Sequence, residues 1–429
     1  MIEGAVQAAS LKGRRAIEAL RAGVPNRDAV GALGFDAEDL VSTFDGRLGI
    51  LESSLENNAN VRGLLLAGEF GAGKSHALEF LTHRALSRNV AVSKVVISKE
   101  TQLFDPAKVY RAAIEGLQVE GRTGDVLAEI ALSKLNTRSS RFAALDEWLR
   151  GGEVNSRFAA TLWLYENAGT SPDLMNRLVG FWGGGPLPIG ELKRDLREVG
   201  QVGSFQLERV STRELARQHV RFMARLLHAA GYDGWLILLD ELELIGRYTV
   251  QQRGRAYAEL ARLLGIAGEA SIPGLLTVGG ITPDFSSAVI RLKDDFNQIG
   301  FRFRGRGDAE SLRIAGLAER AMEEIEQDLI RLPEPDAGRL ERTLANLRDV
   351  YATAYGQFPT ENVELTRRPG WQMREYIRGS ITSWDLARLD PTYKAVVEVN
   401  RMVAEYTEDE LLGMPAEGDT ETSDDQQAE

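Results

Sequence analysis

One segment of the sequence restricts the possible folds more than any other. An apolar run, Leu64–Ala67, leads into a glycine-rich stretch, and a helical pattern follows. The stretch matches G-x-x-x-x-G-K-S and consists of Gly68, Glu69, Phe70, Gly71, Ala72, Gly73, Lys74 and Ser75. A strand, a glycine-rich loop and a helix in this order form the context of a phosphate-binding P-loop. The sequence therefore predicts an α/β fold, a parallel sheet built around a nucleotide site.

Each residue type in this motif suits the binding of a nucleoside triphosphate. The glycines let backbone N–H groups turn towards the phosphates, in conformations that a β-carbon would obstruct. Lys74 can reach the β- and γ-phosphates, and the Ser75 hydroxyl can ligate Mg²⁺. His76 lies in the first turn of the helix, whose positive dipole end faces the anion. We therefore expect ATP and Mg²⁺ as cofactors.

A second motif supplies two adjacent carboxylates. The apolar run 235–239 precedes Asp240 and Glu241, as in a buried parallel strand that delivers polar groups at its carboxyl end. This Walker B pattern predicts that Asp240 holds the Mg²⁺ shell together with Ser75. Glu241 is the predicted general base, which polarises the attacking water. Glu243 is expected at the surface or at the start of a helix.

Composition excludes several other classes of site. The chain has 429 residues, 43% of them hydrophobic, which is enough for two or three domains. It has no cysteine, so disulfides, cysteine metal sites and cysteine nucleophiles are excluded. It has only four histidines, so we do not expect a metal site built from a histidine cluster. No apolar run approaches the roughly 20 residues of a membrane span. We also find no secretory signal, and expect a soluble cytoplasmic protein.

The charge of the chain is concentrated at its end. Nine acidic and no basic residues occur in 407–429, so the net charge of −12 becomes −12 + 9 = −3 for the rest. Because residues 1–406 have nearly equal numbers of acidic and basic side chains, their net charge neither favours nor excludes nucleic-acid binding. The acidic segment has too few aromatic residues to fold alone and is predicted to be disordered.

The order of the patterns predicts a domain organisation. Strand patterns occur at 90–98, 235–240, 274–281 and, with alternating Phe and Arg, at 301–306. Arg302, Arg304 and Arg306 form either a basic stripe for phosphates or a solvated strand face. The predicted units are N-terminal helices and an adenine lid (1–60), an ATPase core (61–306) with a helical insertion (121–207), a C-terminal helical domain (307–406) and the acidic tail (407–429).

Together, the P-loop, the Asp240-Glu241 strand, a polar strand tip at Thr282 and a helical C-terminal region resemble an AAA+ ATPase of the Orc/Cdc6-like or STAND-like branch. The resemblance implies a C-terminal helical lid, for which a winged helix is one alternative. It implies that Thr282 is sensor 1, although a Thr-Pro pair is also an ordinary helix start. It implies that Arg291 is a trans-acting arginine finger. Arg374, or else Arg378, would be sensor 2, and either could instead be a surface arginine.

In the same class of ATPase, the segment before the first strand often folds over the adenine. Val24, Pro25 and Phe35 are the candidates for that lid. Ordinary packing of a helical hairpin explains the same three residues equally well.

A narrower resemblance comes from two segments, 19–26 (A-L-R-A-G-V-P-N) and 68–76 (G-E-F-G-A-G-K-S-H). They are similar to segments of the ATP-binding proteins of BREX phage-defence systems. The resemblance implies a bacterial defence role on DNA or DNA–protein complexes, beside partners such as a helicase or a methyltransferase.

Two functions compete on these observations. The first is a Mg²⁺-dependent ATPase that self-associates into a ring or partial ring. The second is a STAND-like switch, which hydrolyses ATP slowly and changes its affinity for a partner with the bound nucleotide. A small-molecule kinase is a third interpretation, which the chain length, the Asp240-Glu241 pair and the helical lid argue against.

Overall fold

The computed structural model describes residues 2–23, 25–122, 124–167, 171–266, 272–333, 336–356, 359, 372–390 and 406–409. One sheet has the strand order β3-β2-β4-β5-β1-β6. The strands are β1 (Leu64–Ala67), β2 (Ala91–Val96), β3 (Leu117–Gln118), β4 (Trp235–Asp240), β5 (Leu275–Ile281) and β6 (Leu329–Arg331).

Sixteen α-helices occur in the described ranges, and none of them is long and apolar enough to cross a membrane. A 3-10 helix (Leu242–Arg247) follows β4, and a π-helical turn (Ser286–Arg291) follows β5. The α-helices are α1 (Ile2–Ala22), α2 (Arg27–Leu33), α3 (Glu38–Ser54), α4 (Lys74–Leu86), α5 (Pro106–Glu115), α6 (Val126–Ser133), α7 (Ser140–Arg150), α8 (Ser156–Asn167), α9 (Pro172–Trp182), α10 (Ile189–Glu198), α11 (Thr212–Ala229), α12 (Val250–Leu263), α13 (Asp295–Arg304), α14 (Ala309–Gln327), α15 (Ala337–Tyr355) and α16 (Met373–Leu389).

The sheet brings the two sequence motifs to one edge. Strands β2, β4, β5, β1 and β6 are mutually parallel, so their carboxyl ends lie together. Strand β5 lies between β1, which precedes the P-loop, and β4, which ends at Asp240. Side chains of β1, β4 and β5 are buried on both faces of the sheet, which explains why these strands are continuous apolar runs.

Helices cover both faces and form a separate cluster at one end. Helices α3 and α4 pack on one face of the sheet, whereas α5, α11, α12 and the insertion helices α6–α10 pack on the other. A third apolar cluster joins α1 and α2 to α15 and α16. The first two helices and the last two therefore form one packed unit, although the sequence pattern assigned them to separate units at opposite ends of the chain.

Two strand predictions were wrong. The sheet is mixed, because β3 pairs antiparallel with β2, and the last strand is β6, within a region predicted to be entirely helical. The segment 301–306 is not a strand, since most of it lies in α13. Phe303 is 1% exposed and Phe301 is 86% exposed, while Ile299, four residues before Phe303, is also buried. Helical spacing therefore decides burial here, and the Phe-Arg alternation was misleading. Arg304, on this helix, pairs with Glu319.

Two residues of the predicted acidic tail, Glu408 and Asp409, make contacts with the body of the chain. Residues 406–409, which we call the C-terminal strap, lie against the core. The Arg253 guanidinium, 1% exposed, donates to Glu408 at 2.6 Å and also pairs with Asp295. The backbone N–H of Asp409 donates to the Arg247 carbonyl at 3.0 Å. These contacts correct the predicted boundary at residue 407, while 410–429 lie outside the described residues.

The strap contacts lead to a prediction about two truncations. Removal of 406–429 should lower the melting temperature by roughly 2 °C or more, because Arg253 loses one of two carboxylate partners and the Tyr406 ring leaves its packed position. Removal of 410–429 alone should leave the melting temperature unchanged, since this segment is acidic and poor in apolar residues. Differential scanning calorimetry of the two proteins measures the contrast. Equal melting temperatures would mean that the strap adds no stability.

Candidate nucleotide-binding site

The P-loop adopts a conformation that depends on its glycines. Gly71 and Gly73 have φ values of 83° and 103°, in the region that favours glycine. The N–H of Gly68 donates to the Ile281 carbonyl at 3.2 Å, which joins the start of the loop to the end of β5. Helix α4 begins at Lys74, directly after the loop. Its first N–H groups and its positive dipole end are thus available to an anion held in the loop.

The predicted metal-binding residues lie in contact. The Ser75 hydroxyl donates to Asp240 Oδ2 at 3.0 Å, although the two residues are far apart in sequence. The backbone N–H of Glu241 donates to the other oxygen, Oδ1, at 3.0 Å and so orients the carboxylate. A hydroxyl and a carboxylate next to a phosphate-binding loop are the oxygen donors that suit Mg²⁺, which keeps several waters when bound beside phosphates. The residues present therefore fit Mg²⁺.

Glu241 occupies a special backbone position. Its φ of 62° and ψ of 37° are left-handed, which is uncommon for a residue with a side chain, and the 3-10 helix begins directly after it. Its carboxylate is exposed at the sheet edge. Partial loss of solvent and the neighbouring Asp240 raise the pKa of Glu241, and the cations Lys74 and Arg374 oppose this rise. A carboxylate with a raised pKa is a better proton acceptor than an ordinary glutamate.

Glu243 lies in the first turn of the 3-10 helix, which agrees with its predicted place at a helix start, but it is buried and not at the surface. Its side chain is 6% exposed and lies 3.6 Å from the Lys74 ammonium, which is 9% exposed. Lys74 Nζ also donates to the Gly68 carbonyl at 2.7 Å and lies 5.0 Å from the centre of the Phe70 ring. Burial raises the pKa of Glu243, and Lys74 opposes the rise. Sequence reasoning missed the contact between Glu243 and Lys74, which join two segments far apart in the chain.

A cavity of about 510 Å³ opens beside the P-loop. Its walls include Pro25 and Phe35, two of the three residues predicted for the adenine lid, while Val24 lies outside the described residues. His76 also lines the cavity, donates from Nε2 to the Gly34 carbonyl at 2.8 Å, and has a pKa lowered by burial. Apolar and aromatic walls next to a phosphate loop fit a nucleobase, and the volume lies in the range of small-ligand sites.

Helix α16 closes the cavity over the P-loop. The backbone N–H of Arg374 donates to the Gly71 carbonyl at 3.2 Å, and a β-carbon at Gly71 would lie 3.0 Å from Gln372. The Arg374 side chain lines the cavity, whereas Arg378 is exposed and is not part of its lining. Of the two residues predicted for sensor 2, only Arg374 is therefore near the P-loop.

The other two predicted residues are engaged elsewhere in the chain. Thr282 is buried at the end of β5, and its hydroxyl is 2.6 Å from the Tyr406 hydroxyl of the strap. Tyr406 in turn donates to Asp284 at 3.0 Å. Arg291 ends the π-helical turn, is 69% exposed and pairs through Nε with Glu326 at 2.8 Å. Arg291 does not line the nucleotide cavity.

The Lys74–Glu243 contact leads to a prediction about nucleotide affinity. Glu243→Gln should tighten ATP binding roughly three- to tenfold, because the carboxylate competes with the phosphates for Lys74 and repels them. Titration with a fluorescent ATP analogue measures the change. The gain should disappear in Lys74→Ala/Glu243→Gln, which separates the effect on Lys74 from a general change of charge. Weaker binding by Glu243→Gln would instead show that Glu243 positions Lys74 for the phosphates.

Comparison with known proteins gives one family. The model of the family described as BREX system ATP-binding protein BrxC/D matches residues 10–144 and 210–368, which together make up more than half of the chain. The matched ranges contain the P-loop, β4 with Asp240, and β5, and the gap between them covers much of the helical insertion. No curated protein and no solved structure matches the chain.

Proposed function

The chain belongs to the family of BREX system ATP-binding proteins BrxC/D, and on that basis we propose that it is a Mg²⁺-dependent ATPase that acts in phage defence on DNA or DNA–protein complexes. The family accounts for ATP binding and the defence system. The single observation that supports hydrolysis is the contact of Ser75 with Asp240 at 3.0 Å, with Glu241 next in the chain. This arrangement combines a metal-binding pair with a carboxylate base at one edge of the sheet.

Each motif residue has a role in this proposal. The P-loop backbone and Lys74 bind the phosphates, Ser75 and Asp240 hold Mg²⁺, and Glu241 accepts a proton from the attacking water. Bound Mg²⁺ supplies charge neutralisation on the phosphate oxygens. Arg374 is the proposed sensor 2, because it alone of the two candidates lines the cavity. Thr282 is the proposed sensor 1, and Arg291 is the proposed finger that acts on a neighbouring subunit.

Self-association is part of the proposal because Arg291 does not line the cavity of its own subunit. The native mass of the protein, with and without a non-hydrolysable ATP analogue, tests this step. We expect a multimer with the analogue, and an ATPase rate per subunit that rises with protein concentration and again with DNA. A monomer whose specific rate is independent of concentration would contradict the ring mechanism.

One observation favours the alternative function, a nucleotide-dependent switch with slow hydrolysis. The hydroxyl of Thr282, the proposed sensor 1, is bonded to Tyr406, and the P-loop residue Lys74 is held by Gly68 and Glu243, so both groups have partners within the chain. Exchange of these contacts for phosphate contacts would couple the nucleotide to the C-terminal strap. Stoichiometric ADP or ATP that survives purification supports the switch, whereas rapid turnover supports the ATPase.

A further inference from the structure

A second cavity, of about 460 Å³, lies on the molecule away from the nucleotide site. Its walls come from the amino-terminal ends of α11 and α14, from α12, and from the end of α13 with the turn that follows it. It shares no lining residue with the nucleotide cavity. Five arginines line it, and we call it the arginine cavity: Arg213, Arg217, Arg255, Arg262 and Arg306.

Two of the five arginines have carboxylate partners. Arg217 donates to Glu259 at 2.5 Å and to Glu310 at 3.3 Å, and Arg262 donates to Glu259 at 2.9 Å. Among the residues that the structure describes, the other three form no ion pair with a carboxylate.

The remaining carboxylates of the cavity wall are already engaged. Asp308 accepts from the backbone N–H of Ser311 at 2.8 Å and so caps α14. Glu214 lies 3.5 Å from Arg217 and also accepts from Gln218. The wall thus has five arginines and four carboxylates, a net charge of +1, and three of its described arginines have no carboxylate within ion-pair distance.

Two of the wall arginines each have a donor nitrogen that is closed off from solvent and has no partner among the described residues. Arg255 Nε and Arg262 Nη2 are buried without a hydrogen bond in the described part of the chain. When the Gln251 amide is oriented so that its oxygen faces the arginines, this oxygen accepts from Arg255 at 3.0 Å and from Arg306 at 3.2 Å. The amide is neutral, so it does not balance the charge of either guanidinium. Burial, and then the nearby Arg213 and Arg306, lower the pKa of Arg255.

Two helix ends add to the positive potential. Ser211 caps α11, Asp308 caps α14, and both residues line the cavity. The positive ends of two long helices therefore converge where the unpaired arginines do. Arg213 and Arg306 are exposed at the rim of the cavity, whereas Arg255 and Arg262 are half-buried deeper in its wall.

We propose that the arginine cavity is a second anion site, which binds a small phosphorylated ligand. Arginine donors match phosphate oxygens in pairs, so three guanidiniums without a carboxylate partner, next to two helix amino-terminal ends, suit a phosphate group. A volume of about 460 Å³ accommodates a di- or triphosphate group. Because no wall residue is shared with the nucleotide cavity, the ligand binds alongside ATP rather than in its place.

The test uses inorganic pyrophosphate as the probe and the full chain with the substitution Lys74→Ala as the protein. Because Lys74 is absent, the P-loop should contribute little to pyrophosphate binding. We expect pyrophosphate to raise the melting temperature of Lys74→Ala. Adding Arg255→Gln should remove this increase and weaken pyrophosphate binding about tenfold or more in calorimetric titration. Arg306→Gln at the exposed rim should give the same loss, and Arg302→Gln, outside the cavity on α13, should give none.

The ligand-free proteins supply a further readout. Arg255→Gln should not lower the melting temperature without pyrophosphate, because it relieves repulsion among like charges, whereas the loss of a merely structural arginine would lower it. A short DNA oligonucleotide distinguishes the source of the phosphate. If Arg255→Gln weakens DNA binding as much as pyrophosphate binding, the site binds a nucleic-acid backbone. If Arg255→Gln weakens only pyrophosphate binding, the site binds a free phosphorylated ligand. No pyrophosphate binding by Lys74→Ala, or binding unchanged by Arg255→Gln, overturns the proposal.

Discussion

Glu241→Gln should bind ATP with near-normal affinity and hydrolyse it about a hundredfold or more slowly than the wild-type protein. The amide preserves the shape of the side chain at the end of β4 but cannot accept the proton of the attacking water. The contact between Ser75 and Asp240 does not involve the Glu241 side chain, so the metal-binding residues should stay in place. Phosphate release at saturating ATP, together with a binding titration, measures the two effects separately.

Lys74→Ala is the matched control for Glu241→Gln, because it should abolish ATP binding itself. The pH dependence gives a second control. Since the pKa of Glu241 is raised, the acidic limb of the wild-type rate profile should lie above the range of an ordinary glutamate, with activity lost as the pH falls and the carboxylate is protonated. Near-normal turnover by Glu241→Gln would refute the assignment of the base and turn attention to Glu243.

Arg291→Ala should hydrolyse ATP roughly 10³-fold more slowly if Arg291 is a finger that acts on a neighbouring subunit. Its ion pair with Glu326 is largely exposed, and such pairs contribute little, so the guanidinium can leave Glu326 for a neighbour's γ-phosphate. Adding Lys74→Ala subunits, which still carry Arg291, to Arg291→Ala subunits should restore hydrolysis at the shared interfaces. Turnover is measured across the mixing ratios.

Two controls separate a trans-acting role from a general defect. The same mixing with Arg374→Ala should restore nothing, because Arg374 lines the cavity of its own subunit. Arg302→Ala removes an exposed arginine from α13 and should leave turnover unchanged. Normal hydrolysis by Arg291→Ala alone would make Arg291 an ordinary surface residue, and a loss with Arg302→Ala would move the finger to α13.

The conformation of the P-loop segment was predictable because it is encoded locally. Gly71 and Gly73 have the positive φ values that only a glycine-rich loop adopts easily, and Lys74 begins a helix directly after them. Strand β4 was predictable for a related reason, since a strand buried on both faces must be a continuous apolar run. The proximity of Ser75 to Asp240 followed from one topological rule, that parallel strands bring their carboxyl ends to one edge.

The features that only the tertiary structure revealed depend on contacts between segments that are far apart in the sequence. Glu243 is buried only because the chain turns into a 3-10 helix after Glu241 and carries it towards Lys74. Segment 301–306 has both a strand-like and a helix-like pattern, and the packing of Phe303 against the core decides in favour of the helix. Arg253 holds the strap through Glu408, which lies 155 residues later in the sequence. The arginine cavity likewise joins four separate regions of the sequence. Local sequence patterns specify the backbone conformation and the chemistry of a single motif. Contacts between residues far apart in the sequence depend on how the whole chain packs, and a local pattern does not contain that information.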